Sequence, residues 1–157
     1  MKHSEQMKLA LAEAYRGIKK RHGGPFGAVI VRKGKVLSKA HNTVLKDNDP
    51  TQHAEVRAIS AAARKLGTYD LSECVLYSTT EPCPMCFSAI HWARIDCVVF
   101  GTSINDVAKL GFNELAISVR KMKKMGKSPL AVKSDVLLKE CRALLAYWNK
   151  LPDKQLY

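Results

Sequence analysis

The chain has 157 residues, 46% of them hydrophobic, and carries 26 Lys and Arg against 14 Asp and Glu, for a formal net charge of +12. That length and apolar content predict a single domain over residues 1–157 with a proper buried core, and no linker or boundary is evident. No run approaches the roughly 18 apolar residues of a membrane span and no apolar segment precedes a cleavage site, so neither a membrane nor a secretory role is expected.

Taken in chain order, Met7, Leu11, Ala14, Tyr15 and Ile18 recur at helical spacing. They predict a first helix from about Ser4 to Arg21, with Ser4 as its N-cap and Gly23-Gly24-Pro25 as its stop. Phe26 to Val31 is short, apolar and β-branched, and Lys33-Gly34 turns the chain into Lys35 to Ala40, a hairpin that leads into a loop holding Asn42. Asp49-Pro50-Thr51 signals the start of a helix from about Thr51 to Leu66. Val75 to Thr79 reads as a strand that stops just before Glu81-Pro82-Cys83, and a helical run continues through Ala93. Cys97 to Gly101 reads as another buried strand. From Ile104 to Lys127, Gly111 and Gly126 interrupt any long helix; this segment is expected to line or cover a site, with Lys121, Lys123 and Lys124 on a solvated face. Leu130 to Lys133 is a short fifth strand and Asp135 to Trp148 a closing helix. The alternation predicts an α/β fold with a mixed five-stranded sheet between helices, parallel pairing in the middle, and functional groups at the carboxyl ends of strands.

The chemistry lies in His53-Ala54-Glu55 and Cys83-Pro84-Met85-Cys86. One imidazole and two thiolates suit Zn2+ and leave a fourth tetrahedral position for water, which implies catalysis. Glu55 can stand beside that water without binding the metal if His53 and Glu55 lie at the very start of a helix, since positions i and i+2 point to different sides further along. Pro82 and Pro84 bracket Cys83 and place it near a helix cap, where unpaired amides favour the thiolates that zinc needs. The pattern H-x-E followed by P-C-x-x-C is the signature of zinc-dependent nucleobase deaminases. In such a site the metal lowers the pKa of water to roughly 7, and Glu55 carries the protons of hydrolysis.

Other readings of the same residues are a dithiol redox pair and half of a structural zinc site. The redox reading leaves His53 and Glu55 without a role, and the structural one needs a fourth ligand such as His41 or His91. Cys74, Cys97 and Cys141 form an odd, scattered set rather than a disulfide framework, which predicts a reducing, cytoplasmic setting. Basic clusters at Lys19-Lys20-Arg21 and Arg120-Lys121-Met122-Lys123-Lys124 carry no interleaved aromatics, so they predict attraction to a polyanion backbone at most. A polyanion-binding domain whose zinc only stabilises the fold is the non-enzymatic alternative.

Gly24-Pro25-Phe26-Gly27-Ala28, Asn48-Asp49-Pro50-Thr51, His53-Ala54-Glu55 and Glu81-Pro82-Cys83-Pro84-Met85-Cys86 together resemble the cytidine-deaminase-like superfamily. Within it the chain looks most similar to bacterial guanine deaminases, over nearly its whole length and including Ile90-His91-Trp92-Ala93-Arg94 and Asp153-Lys154-Gln155-Leu156-Tyr157. The resemblance implies a three-layer α/β/α sandwich, hydrolysis of guanine to xanthine and ammonia, and a homodimer. It implies one Zn2+ per chain on His53, Cys83 and Cys86, Glu55 as proton carrier, and Asn42 hydrogen-bonding the base. It also places Phe26 and Trp92 near the pocket and has Ala54 orient the substrate through its backbone. Where the family commonly carries two aspartates after Gly-Phe, this chain has Gly111-Phe112-Asn113-Glu114, and Glu114 keeps the carboxylate on one more methylene. A carboxylate there can accept from the N–H groups on guanine's amidine edge. Tyr157 is the candidate for a C-terminal aromatic that closes over the base. The nearest rival is a tRNA-specific adenosine deaminase, which shares the metal motif, Ala93-Arg94-Ile95 and a tail like Val136-Leu137-Leu138-Lys139-Glu140-Cys141; a free nucleoside such as guanosine comes third. A base held in an RNA loop needs an open groove, whereas a free purine favours a lid made by Phe112 to Leu115 and the tail.

Overall fold

A computed structural model of the protein describes residues 2–157. Helix α1 (His3–Lys19) precedes the hairpin of β1 (Gly27–Arg32) and β2 (Lys35–His41), and a short α2 (Val44–Asp47) leads to α3 (Ala54–Leu66). Then come β3 (Cys74–Thr80), α4 (Pro84–Trp92), β4 (Cys97–Thr102), α5 (Ile104–Ala108), α6 (Val119–Gly126), β5 (Ala131–Lys133) and α7 (Leu138–Asn149). Among the described residues the strands form one five-stranded sheet in the order β2-β1-β3-β4-β5. β1 is antiparallel to both β2 and β3, whereas β3–β4 and β4–β5 are parallel. The amino end of β1 therefore lies beside the carboxyl ends of β2, β3 and β4.

Alternation along each strand divides the interior in two, because successive side chains leave the sheet on opposite faces. Ala28, Ile30, Leu76 and Val98 pack with Ala54, Ala58 and Ala62 of α3, Phe87 and Ile90 of α4, and Val119 of α6. Val29, Val31, Tyr77 and Val99 meet Met7, Ala10 and Ala14 of α1 and Cys141, Leu144 and Trp148 of α7 on the other face. This is the expected α/β/α sandwich, and both cores are built from residues almost wholly removed from water. Lys33 and Gly34 take φ values of +46° and +80°, the paired positive φ of a tight hairpin turn that suits the twist of its strands. No described helix is long and apolar enough to cross a membrane.

Three helix starts differ from the sequence expectation. α1 begins at His3 with Lys2 in the cap position and no side-chain cap, so Ser4 is already helical. α3 begins at Ala54 rather than near Thr51, because the Asp49 carboxylate takes the Thr51 amide (2.9 Å), the Thr51 hydroxyl (2.6 Å) and the Gln52 side chain (2.9 Å) and holds these residues in a turn. α7 begins at Leu138 rather than Asp135, since Asp135 and Leu137 adopt φ of +64° and +51°, outside the helical range.

The packing of α1 on β1 sets a sharp limit at Gly27. A Cβ there would meet the Ala10 carbonyl oxygen and lie 2.7 Å from the Ala14 amide nitrogen, both fixed in helix backbone. Gly27→Ala is expected to cost about 3 kcal/mol in urea denaturation. Gly126→Ala, where a Cβ meets nothing within 4 Å, is expected to gain up to about 1 kcal/mol.

Candidate metal and base-binding site

His53 and Cys83 are the N-cap residues of α3 and α4, each in extended backbone with φ of −68° and −66°. An N-cap residue projects its side chain ahead of the first turn, so two helices that start beside the same strand ends can aim two ligands at one point. Pro84 fixes the first position of α4, where its missing N–H costs nothing, and one turn on, Cys86 looks back to the same point. His53 Nδ1 lies 3.6 Å from Cys83 Sγ and 3.5 Å from Cys86 Sγ. Zinc bonds of about 2.3 Å to sulfur and 2.0–2.1 Å to nitrogen at tetrahedral angles separate N from S by about 3.6 Å, so the three atoms stand where a single zinc ion needs them.

Charge supports the same fit. Glu55, Glu81, Glu114 and Cys83 all line the adjoining cavity, and none of the described residues lining it is Lys or Arg. The adjoining Cys86 and the His53 nearby outweigh burial and bring the Cys83 thiol down to about 4. Cys86, donating to Cys83 in a buried position, is pushed well up. His41 and His91 do not complete a closed site: His41 pairs with Glu13 (3.1 Å) and His22 (2.9 Å), and His91 lies 3.4 Å from the Ser128 hydroxyl. Among the described residues His53, Cys83 and Cys86 form the one group able to hold a metal ion, and an open coordination position follows.

Glu55 sits in the first turn of α3, only 4% exposed. Its carboxylate accepts from the Ser78 hydroxyl at 3.2 Å and from the Cys86 thiol at 3.5 Å. Burial and then the neighbouring Cys83 charge raise its pKa. A carboxyl held this way beside an open metal position can take up a proton and return it.

The cavity, about 340 Å³, spans these groups and is walled by Phe26, Val44, Pro50, Val107, Phe112 and Tyr157, among others. Phe112 is the hub of its aromatic wall, with ring centroids 5.3 Å from Phe26, 5.0 Å from Trp148 and 5.2 Å from Tyr157. The tail is tied down twice: Asn113 N–H donates to the Tyr157 carbonyl (3.1 Å), and Gly24 N–H donates to the Tyr157 hydroxyl (3.2 Å). Burial raises the Tyr157 pKa well above its ordinary value. Two polar atoms on cavity-lining side chains, Thr80 Oγ1 and Glu114 Oε2, are buried without a partner among the described residues, and a third, Asn42 Nδ2, has only the Tyr157 hydroxyl near it, outside good hydrogen-bond geometry. Burial, then the Cys83 and Glu55 charges, push Glu114 up to about 7.

His53, Glu55, Cys83, Phe26, Asn42, Phe112, Glu114 and Tyr157 are thus brought together at the cavity, with Cys86 behind them beside His53. Trp92 is not: it is 81% exposed at the end of α4 and lines a separate depression with Tyr69 and Arg94, because the face of α4 that packs inward is Phe87 and Ile90. Ala54 is fully buried at the start of α3 and its side chain is not part of the cavity wall. Sequence reasoning missed Ser78, Thr80 and Glu81. Their signal was the polar run Ser78-Thr79-Thr80-Glu81 that ends an otherwise apolar strand and stays buried.

Three soft donors around an open position, a buried carboxyl beside it and an adjoining small-molecule cavity define a zinc-dependent hydrolase. Residues 1–102 match the family described as the cytidine and deoxycytidylate deaminase zinc-binding region. The chain is 46% identical over 114 residues to a guanine deaminase of Bacillus subtilis, covering 73% of each chain. It is 49% identical over 94 residues to a tRNA-specific adenosine deaminase of Aquifex aeolicus, covering 60% of this chain and 62% of that one. In three dimensions it superposes on a guanine deaminase from Nitrosomonas europaea with a TM-score of 0.87 at 29% identity, over 94% of this chain and 85% of that one. The chain belongs to the zinc-binding cytidine and deoxycytidylate deaminase family.

Cys83→Ala and Cys86→Ala, each leaving two of three ligands, are expected to lower bound zinc from about one per chain to below about a tenth, measured by metal analysis after dialysis. His41→Ala is expected to leave the zinc content unchanged.

Proposed function

We propose that this protein hydrolyses guanine to xanthine and ammonia. The observation that carries the reading is the trio of buried polar atoms, Asn42 Nδ2, Thr80 Oγ1 and Glu114 Oε2, left without a well-made hydrogen bond in a mainly apolar cavity beside the metal ligands. Asn42 Oδ1 is engaged by the Val44 amide at 3.0 Å, which turns its NH2 into the cavity as a donor for a ring nitrogen or carbonyl oxygen. Glu114 offers an acceptor for the N–H groups of an amidine edge. The Thr80 hydroxyl serves either sense. A guanine ring presents both kinds of partner, and a base lacking one of them leaves a buried group unpaired, a loss of about 1–3 kcal/mol.

His53, Cys83 and Cys86 would hold a zinc ion, which would supply Lewis acidity and lower the pKa of a water to about 7. Glu55 is placed to take one proton from the water that adds to the amino-bearing ring carbon and pass it to the adjacent ring nitrogen. It would then take the second proton from the added hydroxyl and pass it to the departing amine, which leaves as ammonia, while Ser78 holds the carboxyl in register through both transfers. The aromatic wall of Phe26, Phe112 and Tyr157 grips the ring and keeps bulk water out, and the Ala54 backbone orients it. The same reading carries a homodimer, a cytoplasmic setting and one catalytic domain. All five cysteines are free, as a reducing compartment requires.

A second reading, editing of a tRNA adenosine, is favoured by the likeness to the Aquifex protein and by the charge of +12. The tail argues against it, since Tyr157 fastened over Phe112 and Gly24 narrows the mouth through which an RNA loop enters.

Ammonia release with guanine, guanosine, adenine and a tRNA anticodon stem-loop separates these substrates; turnover of the stem-loop but not of guanine would sink the proposal. Glu55→Gln is expected to keep its zinc and its fold while kcat falls by about 10²–10⁴-fold. Removal of Leu156 and Tyr157 is expected to raise KM for guanine about tenfold.

A further inference from the structure

Glu81 stands directly after β3 and is 5% exposed, yet the proposed proton transfers do not use it. Its backbone N–H donates to the Thr102 carbonyl at 2.8 Å, so its base is fixed across the ends of the parallel pair β3–β4. Its two carboxylate oxygens go to two different places. Oε2 accepts from the Ile104 amide at 2.8 Å and Oε1 from the Val119 amide at 2.8 Å. Those amides open α5 and α6. The preceding residues cannot replace Glu81 as partner, because the Ser103 hydroxyl caps onto Asp106 N–H and the Ser118 hydroxyl onto Lys121 N–H.

Between the two helices, residues 109–118 form no helix or strand, and this stretch carries Phe112 and Glu114 into the cavity. Its place in space depends on where its ends are held, on the aromatic contacts of Phe112 and on the tail. We propose that Glu81 is a positioning residue: one buried carboxylate, two residues ahead of the ligand Cys83, clamps both ends of the base-reading segment and sets its distance from the metal ligands. Only a carboxylate suits the task. Bonds from amides to an ionised acceptor are the stronger kind, and a glutamine would turn an NH2 group toward one of the two N–H donors. The kinetic part of the test rests on the guanine reading; the exchange part does not.

The test uses the zinc-loaded full chain. In Glu81→Gln, hydrogen–deuterium exchange of residues 104–119 is expected to quicken at least about tenfold, as loss of a charge-assisted bond implies, while β3 and β4 and the zinc content stay as in the wild type. KM for guanine is expected to rise about tenfold with kcat within about threefold. A purely structural role would instead quicken exchange across the sheet and lower the melting temperature without moving KM. Ile104→Pro and Val119→Pro approach the clamp from the other side and leave Glu81 intact. Each removes one donor at the first helical position, where proline fits, after a serine already extended at φ of −83° or −68°. They are expected to reproduce the exchange and KM changes and decide the matter if Glu81→Gln does not fold. Unchanged exchange of 104–119 in all three variants overturns the clamp. A fall in kcat with unaltered KM and exchange overturns it too, by showing that Glu81 acts on the reacting atoms. A wild-type enzyme inert toward guanine sinks the substrate reading but leaves the exchange result to judge the clamp.

Discussion

The structure depends on how negative charge is held at the strand ends. Glu55, Glu81, Glu114 and the Cys83 sulfur face one largely apolar cavity lined by no Lys or Arg among the described residues, in a chain whose net charge is +12. A buried anion without a partner is among the costliest things a fold can contain. Each is answered differently. Glu81 takes two backbone amides, Glu55 a serine hydroxyl and a thiol, and Cys83 the groups of Cys86 and His53. Glu114 keeps a free oxygen, and the donor set at His53, Cys83 and Cys86 is made for a dication. The site is therefore a place where the fold leaves two debts open, one for a metal ion and one for a hydrogen-bond donor.

Local backbone rules make this arrangement possible with few residues. On a continuous helix His53 and Glu55, two residues apart, would diverge, whereas Cys83 and Cys86, three apart, share one face. Placing His53 and Cys83 at the caps frees them from helical direction, while Glu55 and Cys86 point back from within the first turn. The antiparallel entry of β1 puts Phe26 beside these starts, and the exit of β2 places Asn42 there, with Asn42 N–H donating to the Phe26 carbonyl at 3.1 Å. Close contact of α1 with Gly27 fixes β1 against the opposite layer, so the wall carrying Phe26 rests on rigid elements.

What was legible in the sequence follows from the range of the forces involved. Strands β1, β3 and β4 are marked by β-branched runs because their residues are buried on both faces, and the metal motif is legible because cap position, proline and ligand spacing are local. Helix starts at residues 51 and 135 were misplaced where a side chain or a left-handed backbone, rather than hydrophobic spacing, decided the local path. Trp92 illustrates the opposite error: an aromatic beside a motif says nothing about which face of its helix turns inward. The polar run at Thr80 and Glu81 hints at function but does not say which, because the meaning of Glu81 lies in groups about twenty to forty positions away and that of Thr80 in the absence of a partner among the described residues.

These ranges also separate chemistry from selectivity. The groups that handle zinc and protons stand on α3, α4 and β3, whose mutual packing fixes them whatever base is bound. The groups proposed to distinguish one base from another stand on β2's exit, on residues 109–118 and on the tail, and there Phe112 and Asn113 hold Tyr157 as much as Tyr157 holds them. Glu114 carries this segment's partnerless acceptor, so a change in the length of that side chain shifts the acceptor without disturbing the metal ligands. A fold of this kind can change its substrate by small moves in the loop while its reaction stays the same, provided something rigid relates loop to metal. Glu81, rooted in the sheet and bonded to both ends of that loop, is the side chain placed to do so.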